Sequence, residues 1–357
     1  MTTDMDIRPS CIDLANVRTS HVALAPPLPF AGVKPTSVFN TFWRFAVERQ
    51  VVFFARLSGR PAPWTDDPIL RVHKFTNAYR ASDRVSQYLI RNVIYADDQS
   101  PNEVFFRTIL FKLFNRIETW ELLVSAFGSV NWREYSFQHY ASVLGSAMDR
   151  CQRIYSAAYI MPSGGPHSEY RRKHEMHLRL LERMMRDGLP ARILDAKGMS
   201  DAFLLIRKYP TIGDFLAYQY VTDLNYGPML NYSEMEFVSP GPGARDGIRK
   251  CFPDTGRYND ADIIRLVTER QDEEFKRLGL SFPNLWGRKL QLIDCQNLFC
   301  EVGKYARIAH PDVTGISGRV RIKQKFHPKT DTIQPWYPPK WQLNSSLSRE
   351  TASGKSF

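Results

Sequence analysis

The stretch LQLIDCQNLFCEVGKYAR, Leu290 to Arg307, sets two carboxylates, an amide and an ammonium at helical spacing inside an otherwise apolar run. At about 100° per residue, Asp294, Asn297, Glu301 and Lys304 fall on one stripe. Leu292, Cys295, Phe299, Val302 and Ala306 form a second stripe of core type, and Ile293, Leu298, Cys300 and Ile308 flank the polar one. Gln296, Gly303 and Arg307 are left as the expected solvent face. The polar stripe is therefore predicted to face an interior space. A carboxylate there can take a proton from a nucleophile, and a cation can hold a departing anion. The bland alternative is a set of internal ion pairs, such as Glu301–Lys304 or Asp294–Arg80.

Two further segments carry polar groups among apolar ones. IGDFLAYQYVTDLNYGP places Gln219, Asp223 and Tyr226 at i, i+4 and i+7. An Asp in such surroundings is paired, or has a raised pKa, or acts chemically. KFTNAYRASDRVSQYLIRN carries Asn77, Arg80, Arg84 and Gln87 opposite Ala78, Ala81, Val85, Tyr88 and Leu89. That polar stripe suits phosphates, sugar or base edges, or simply solvent. VSPGPGARDGIRK reads as a Pro-Gly-x-Gly turn leading into a helix-compatible segment, like the turn of a helix-hairpin-helix. There Gly241, Gly243 and Ala244 let backbone N–H groups approach a DNA phosphate, with Arg245, Arg249 and Lys250 adding attraction. A Gly/Pro-rich connection with no ligand reads the same way.

Other chemistries find little support. Gly354–Ser356 is the only GKS and lacks the upstream glycine of a P-loop. HEMH, His174–His177, has the wrong spacing for a zincin and reads as a solvated face of a charged helix. No metal site and no cofactor is predicted. Five cysteines without a CxxC pair indicate neither a disulfide framework nor zinc, and point to a reducing compartment.

The elements that must position these groups are mostly helical. Periodicity predicts helices over Thr36–Ala55, Phe75–Val93, Glu103–Ser125, Trp132–Tyr155, Ser168–Asp187, Met199–Lys208, Ile212–Tyr226 and Asp260–Leu278, before the opening stretch. GRVRIKQKF, from Gly318, is either a short basic strand or an extended arm. The reading is mainly α: an arm over 1–35 with APPLPF, one helical domain over 36–325, and a Pro/Ser-rich tail over 326–357 expected to be disordered. With 43% hydrophobic residues among 357, a large core can form. Forty-eight basic against 37 acidic residues, a formal +11, favour an anionic partner, nucleic acid first. No secretory signal or membrane span is evident, so the expected location is intracellular.

As an ordered set, DPIL (67–70), KFTNAYRASDRVSQYLI (74–90), RTILFKLFNRIETWE (107–121), AAYIM (157–161), IGDFLAYQYVTDLNY (212–226), PGPGARDGI (240–248) and DCQNLFCEVGKY (294–305) resemble the α-glutamyl/putrescinyl-thymine pyrophosphorylase family. The same region is described as the helical domain accompanying 5-hydroxymethyl-deoxyuridine DNA kinases. The resemblance implies a DNA-glycosylase-like helical fold working on hypermodified thymine. It further implies displacement of pyrophosphate from an activated hydroxymethyl-uracil by an amino acid or polyamine. In helix-hairpin-helix glycosylases a catalytic Asp opens the helix after the hairpin, and the match falls on Asp294. The interval from PGPG to Asp294 is longer here, which implies an insertion.

On this reading an extruded base would meet Asp294 or Glu301 as proton acceptor. Lys304 and Arg80 would meet the leaving group, and Asn297 and Gln219 would read the base edge. Activation would fall to a separate 5-hydroxymethyl-uracil DNA kinase. A glycosylase using Asp294 on the sugar, and a non-catalytic DNA-binding module, are the alternatives.

Overall fold

The computed structural model describes residues 32–157, 161–163, 170, 172–328 and 333–347. Residues 1–31 of the expected N-terminal arm, with Cys11, most of AAYIM and the last ten residues with GKS lie outside them.

Thr36 starts α1 (Ser37–Leu57) by accepting the Val38 N–H, and its hydroxyl donates to the Lys250 carbonyl at 2.5 Å. Asp67 caps the short α2 (Pro68–Val72) by accepting the N–H groups of Ile69 and Leu70. Residues 74–92 do not form the single helix that their periodicity predicts. Residues 74–79 form no helix, Arg80–Ser82 make one 3-10 turn, α3 covers Arg84–Leu89, and a π turn covers Ile90–Ile94. Local and distant carboxylates claim the N–H groups a helix would have used. Asp83 accepts from Asn77 N, Glu301 from Thr76 N, and Asp294 from Arg80 N.

The expected Glu103–Ser125 helix is two: α4 (Pro101–Phe114) and α5 (Ile117–Phe127). Asn115, left-handed at φ 47°, ends α4, as asparagine often does at a helix C-terminus. Apolar on nearly every side, α4 is buried from Glu103 to Phe114. The Arg107 side chain inside it donates to the carbonyls of Val93, Ala96 and Asp98 and so secures the π turn. Helix α6 (Phe137–Asp149) is shorter than expected at both ends; Glu103 binds the N–H groups of Trp132 and Arg133 in the segment before it, and left-handed Cys151, φ 58°, follows its end. Next come α7 (Lys173–Arg186), α8 (Leu189–Leu194), α9 (Met199–Arg207), α10 (Asp214–Leu224) and α11 (Pro242–Cys251). The expected Asp260–Leu278 helix breaks at Arg270 into α12 (Asp260–Glu269) and α13 (Gln271–Arg277). There the Gln271 side chain pairs with both backbone groups of Leu290 and fixes the entry to α14 (Leu292–Ala309).

Helix α14 lies against α1, α11 and α12, while α10 packs on α4 and α9. Its expected solvent face is wrong at Gln296 and Gly303, which are buried against α11, whereas Ile308 is exposed. Glycine makes this crossing possible. A Cβ on Gly303 would stand 2.9 Å from Gly247 Cα, and one on Gly247 would fall onto the Phe299 carbonyl.

Two other expectations are corrected, and one open alternative, strand or extended arm, is decided for the arm. HEMH is not a solvated face: His174 and His177 are fully buried. His174 bonds the Ala141 carbonyl, and His177 bonds the Tyr155 hydroxyl and the Pro162 carbonyl. GRVRIKQKF is no ladder strand; it stays non-helical and makes one isolated antiparallel bridge, His73 to Lys325. The tail is ordered over 333–347, with a 3-10 turn at Pro339–Trp341 and with Tyr337, Leu343 and Leu347 buried.

Candidate functional site

Asp294 occupies the third position of α14, where a carboxylate reaches back to an unpaired helix N–H. Its Oδ2 accepts from Gln291 N at 3.0 Å and its Oδ1 from Arg80 N at 2.8 Å. Only 4% of the residue is exposed. Burial pushes its pKa up to about 7, against the opposing pull of those two hydrogen bonds. The group thus sits where a proton acceptor working near neutrality is most effective.

The Arg80 side chain runs away from Asp294 towards α10. Its guanidinium donates to Asp223 at 2.7 Å, to Gln219 at 3.1 Å and to the Tyr226 hydroxyl at 3.1 Å. The i, i+4, i+7 spacing of Gln219, Asp223 and Tyr226 therefore delivers three acceptors to one cation. Lys112 of α4 approaches the other Asp223 oxygen at 3.1 Å. Burial by itself would raise the Asp223 pKa, but Arg80 and Lys112 outweigh it and hold the carboxyl below its ordinary value. Burial lowers Lys112 to about 8 despite Asp223. The Asp294–Arg80 ion pair is not formed through side chains, since Asp294 holds the backbone of Arg80 instead.

Glu301 and Lys304 do pair, at 2.8 Å. Glu301 also accepts from Thr76 N, and Lys304 donates to the Lys74 carbonyl at 2.8 Å. Both ions are thereby committed to holding the 74–79 segment against α14. Asn297, half-buried between Asp294 and Glu301, accepts from Gln296. Asn77 is half-buried and donates to the Ser82 carbonyl, while Arg84 is exposed. Gln87 bonds the Ala81 carbonyl and Trp336 N. The polar stripe predicted for this segment is thus divided between interior and surface.

The glycine turn is not a tight hairpin between two helices, because α10 ends at Leu224 and α11 starts only at Pro242, with residues 225–241 between them. Gly241 is the N-cap of α11, and its N–H is spent on Gln296 Oε1 at 3.1 Å. Gly243 packs on Cys300, and Ala244 is buried. Lys250 is buried and donates to the Gly303 carbonyl at 2.8 Å. Arg249 pairs with Asp260 at 2.8 Å, and exposed Arg245 lies 3.9 Å from the same carboxylate. Packing on α14 thus occupies much of what the sequence suggested for phosphate.

Several residues at the site were not singled out from sequence. Half-buried Asp83 accepts from Asn77 N; burial pushes its pKa up to about 7, with Glu301 adding to the rise. Lys112 had a legible signal, a charge inside an apolar helix. The 333–347 segment had none beyond its aromatics. Tyr337 bonds Ser82 through its hydroxyl at 2.8 Å and stacks on Trp341. Trp341 lies edge-on to Tyr226 and under the Arg288 guanidinium, which pairs with Glu234. Lys340 donates to the carbonyls of Asn225, Gly227 and Leu230, pinning this strap to the end of α10. Among the described residues no group of three or more His, Cys, Asp or Glu could hold a metal ion. No helix there is long and apolar enough to cross a membrane.

No solved structure matches the chain. Among curated proteins, a "5-hmdU DNA kinase" of Bacillus phage SP10 is 26% identical over 287 residues, covering 75% of this chain. The match takes in 45% of that relative, so the chain spans less than half of its length. Residues 36–315 match the family described as "5-hmdU DNA kinase, helical domain". With that match running from the start of α1 to past the end of α14, the chain belongs to the family of 5-hmdU DNA kinase helical domains.

Proposed function

We propose that this domain acts in the modification of 5-hydroxymethyl-uracil in DNA, transferring an amino acid or polyamine to the pyrophosphate-activated base. The observation that carries this reading is the Asp294 carboxyl, buried at the head of α14 with its pKa pushed up to about 7. The extruded base would enter beside Asp294, with Tyr337 and Trp341 moving aside. The amine lone pair attacks the exocyclic methylene carbon and forms the C–N bond. The C–O bond to pyrophosphate breaks with its electron pair leaving on oxygen, and the ammonium proton passes to the Asp294 carboxylate. Arg80, whose backbone N–H binds Asp294 and whose guanidinium lies on Asp223 with Lys112 beside it, would supply positive charge for the departing pyrophosphate. Asn297 is the amide available to read the base edge. Activation would come from a 5-hydroxymethyl-uracil DNA kinase, the activity named for the phage relative.

The Glu301–Lys304 pair favours a second reading, a non-catalytic module that binds DNA for such a kinase. A glycosylase would use Asp294 to stabilise the sugar cation. One assay separates the three. Duplex DNA carrying pyrophosphorylated 5-hydroxymethyl-uracil is incubated with the protein and a panel of amino acids and polyamines, then read by mass spectrometry. Transfer gives an amine adduct and free pyrophosphate, and Asp294→Asn abolishes both. Alkali-labile abasic sites would replace this proposal with the glycosylase, and retention of unchanged DNA would replace it with the binding module.

A further inference from the structure

Residues 316–328 follow the part of the chain that matches the family and lie on its surface. Arg319, Arg321, Lys323 and Lys325 recur at every second position, and all four are exposed. No carboxylate among the described residues forms an ion pair with any of them.

This arm is tied down along its length. Ser317 N donates to Asp246 of α11 at 2.7 Å, and Arg307 of α14 donates to the Arg321 carbonyl at 3.1 Å. Lys74 N donates to the Gln324 carbonyl, and Phe326 N to the Val72 carbonyl. Ile322 is buried, and Phe326 meets Trp64 edge-on. The inner contacts need only backbone and two apolar side chains, so packing gives no reason for four unpaired cations outside. Ordering backbone costs conformational entropy, and unpaired like charges add repulsion. In an extended chain, same-side residues recur about every 6.6 Å, which lets each long basic side chain reach its own phosphate. The path runs from α11, beside the glycine turn, to the 72–74 segment that leads directly into Thr76 and Arg80.

We propose that the 316–328 arm is a DNA-backbone rail, with Arg319, Arg321, Lys323 and Lys325 each neutralising a phosphate of the duplex that flanks the Asp294 site. This rests on DNA being the substrate, as proposed above, but not on which reaction follows.

The test is the salt dependence of binding of the full chain to a fluorescein-labelled 20-base-pair duplex containing 5-hydroxymethyl-uracil. The slope of log K against log salt falls by about 0.9 for each duplex phosphate that is no longer neutralised. Replacing all four cations by glutamine should lower the slope by about 3–4 while leaving the melting temperature unchanged. A matched variant with glutamine at Arg183, Arg192, Lys197 and Lys208, exposed cations near α7–α9, should keep the wild-type slope. Equal falls in both variants would mean net charge alone, and no fall in the arm variant would mean the arm does not touch DNA; either overturns the rail. If the wild type does not bind duplex DNA, the rail and the proposed function fall together. If the rail behaves as expected but no adduct forms in the transfer assay, only the proposed reaction fails.

Discussion

Asp294 and Asp223 are carboxylates buried in one region, yet their electrostatics are opposite. Asp294 receives two backbone N–H bonds and forms no ion pair among the described residues, so burial outweighs those bonds and the pull of Arg288, and its pKa rises to about 7. A carboxyl whose folded pKa exceeds its unfolded value gives stability that is complete below about pH 4 and is lost as pH rises through 7. Asp83 behaves alike. Asp294→Asn should therefore flatten the decline in stability between pH 4 and 7, measured as melting temperature against pH, while the wild type loses on the order of a few kcal/mol. Asp223 is held by Arg80 and Lys112 and serves as their counter-ion. Asp223→Ala would remove the carboxylate that both buried cations contact and should cost about 3–5 kcal/mol in urea unfolding. The sequence made Asp223 legible as a buried ion but not which cations answer it. Lys112 is 111 residues away in the chain, and no periodicity links the two.

At the scale of elements, the crossing of α11 on α14 is set by Gly247 and Gly303, and it places the glycine turn against the start of the site. Gly247→Ala would drive a Cβ into the Phe299 backbone, which cannot yield as a side chain would. The expected loss is about 1–3 kcal/mol or more by denaturant midpoint, with weaker DNA retention as α11 tilts away. Gly303 falls on the expected solvent face of α14 because glycine is neutral in a periodicity argument. Only the neighbouring helix shows that its lack of a side chain is the point. The same limit applies to residues 74–92, whose helical pattern is real but whose N–H groups are claimed by Asp83, Glu301 and Asp294. Two of those acceptors lie over 200 residues away.

For the whole molecule, the 333–347 strap closes the structure over the site, through Tyr337 on Ser82 and Lys340 on three carbonyls. Lys340→Ala removes one donor from three partly buried carbonyls and should cost about 1–3 kcal/mol. It should also increase hydrogen exchange at Tyr226 and Gly227, because the strap then opens more often. Unchanged exchange there would show that the aromatic contacts hold the strap without Lys340. If the strap gates base entry, the same variant should bind an extrahelical base analogue in DNA more tightly than the wild type.

The sequence by itself determined the helical class, the start of α1, the polar stripe of α14 and the excess of positive charge. These follow from periodicity, capping residues and composition, which are local or additive. Tertiary structure decided which polar groups are free. It committed Glu301 and Lys304 to each other, turned Arg80 towards α10, spent the Gly241 N–H on Gln296, buried the histidines of α7 and ordered the tail. Each outcome depends on a partner distant in the chain, and a hydrogen bond or ion pair has no signature until both partners share one place.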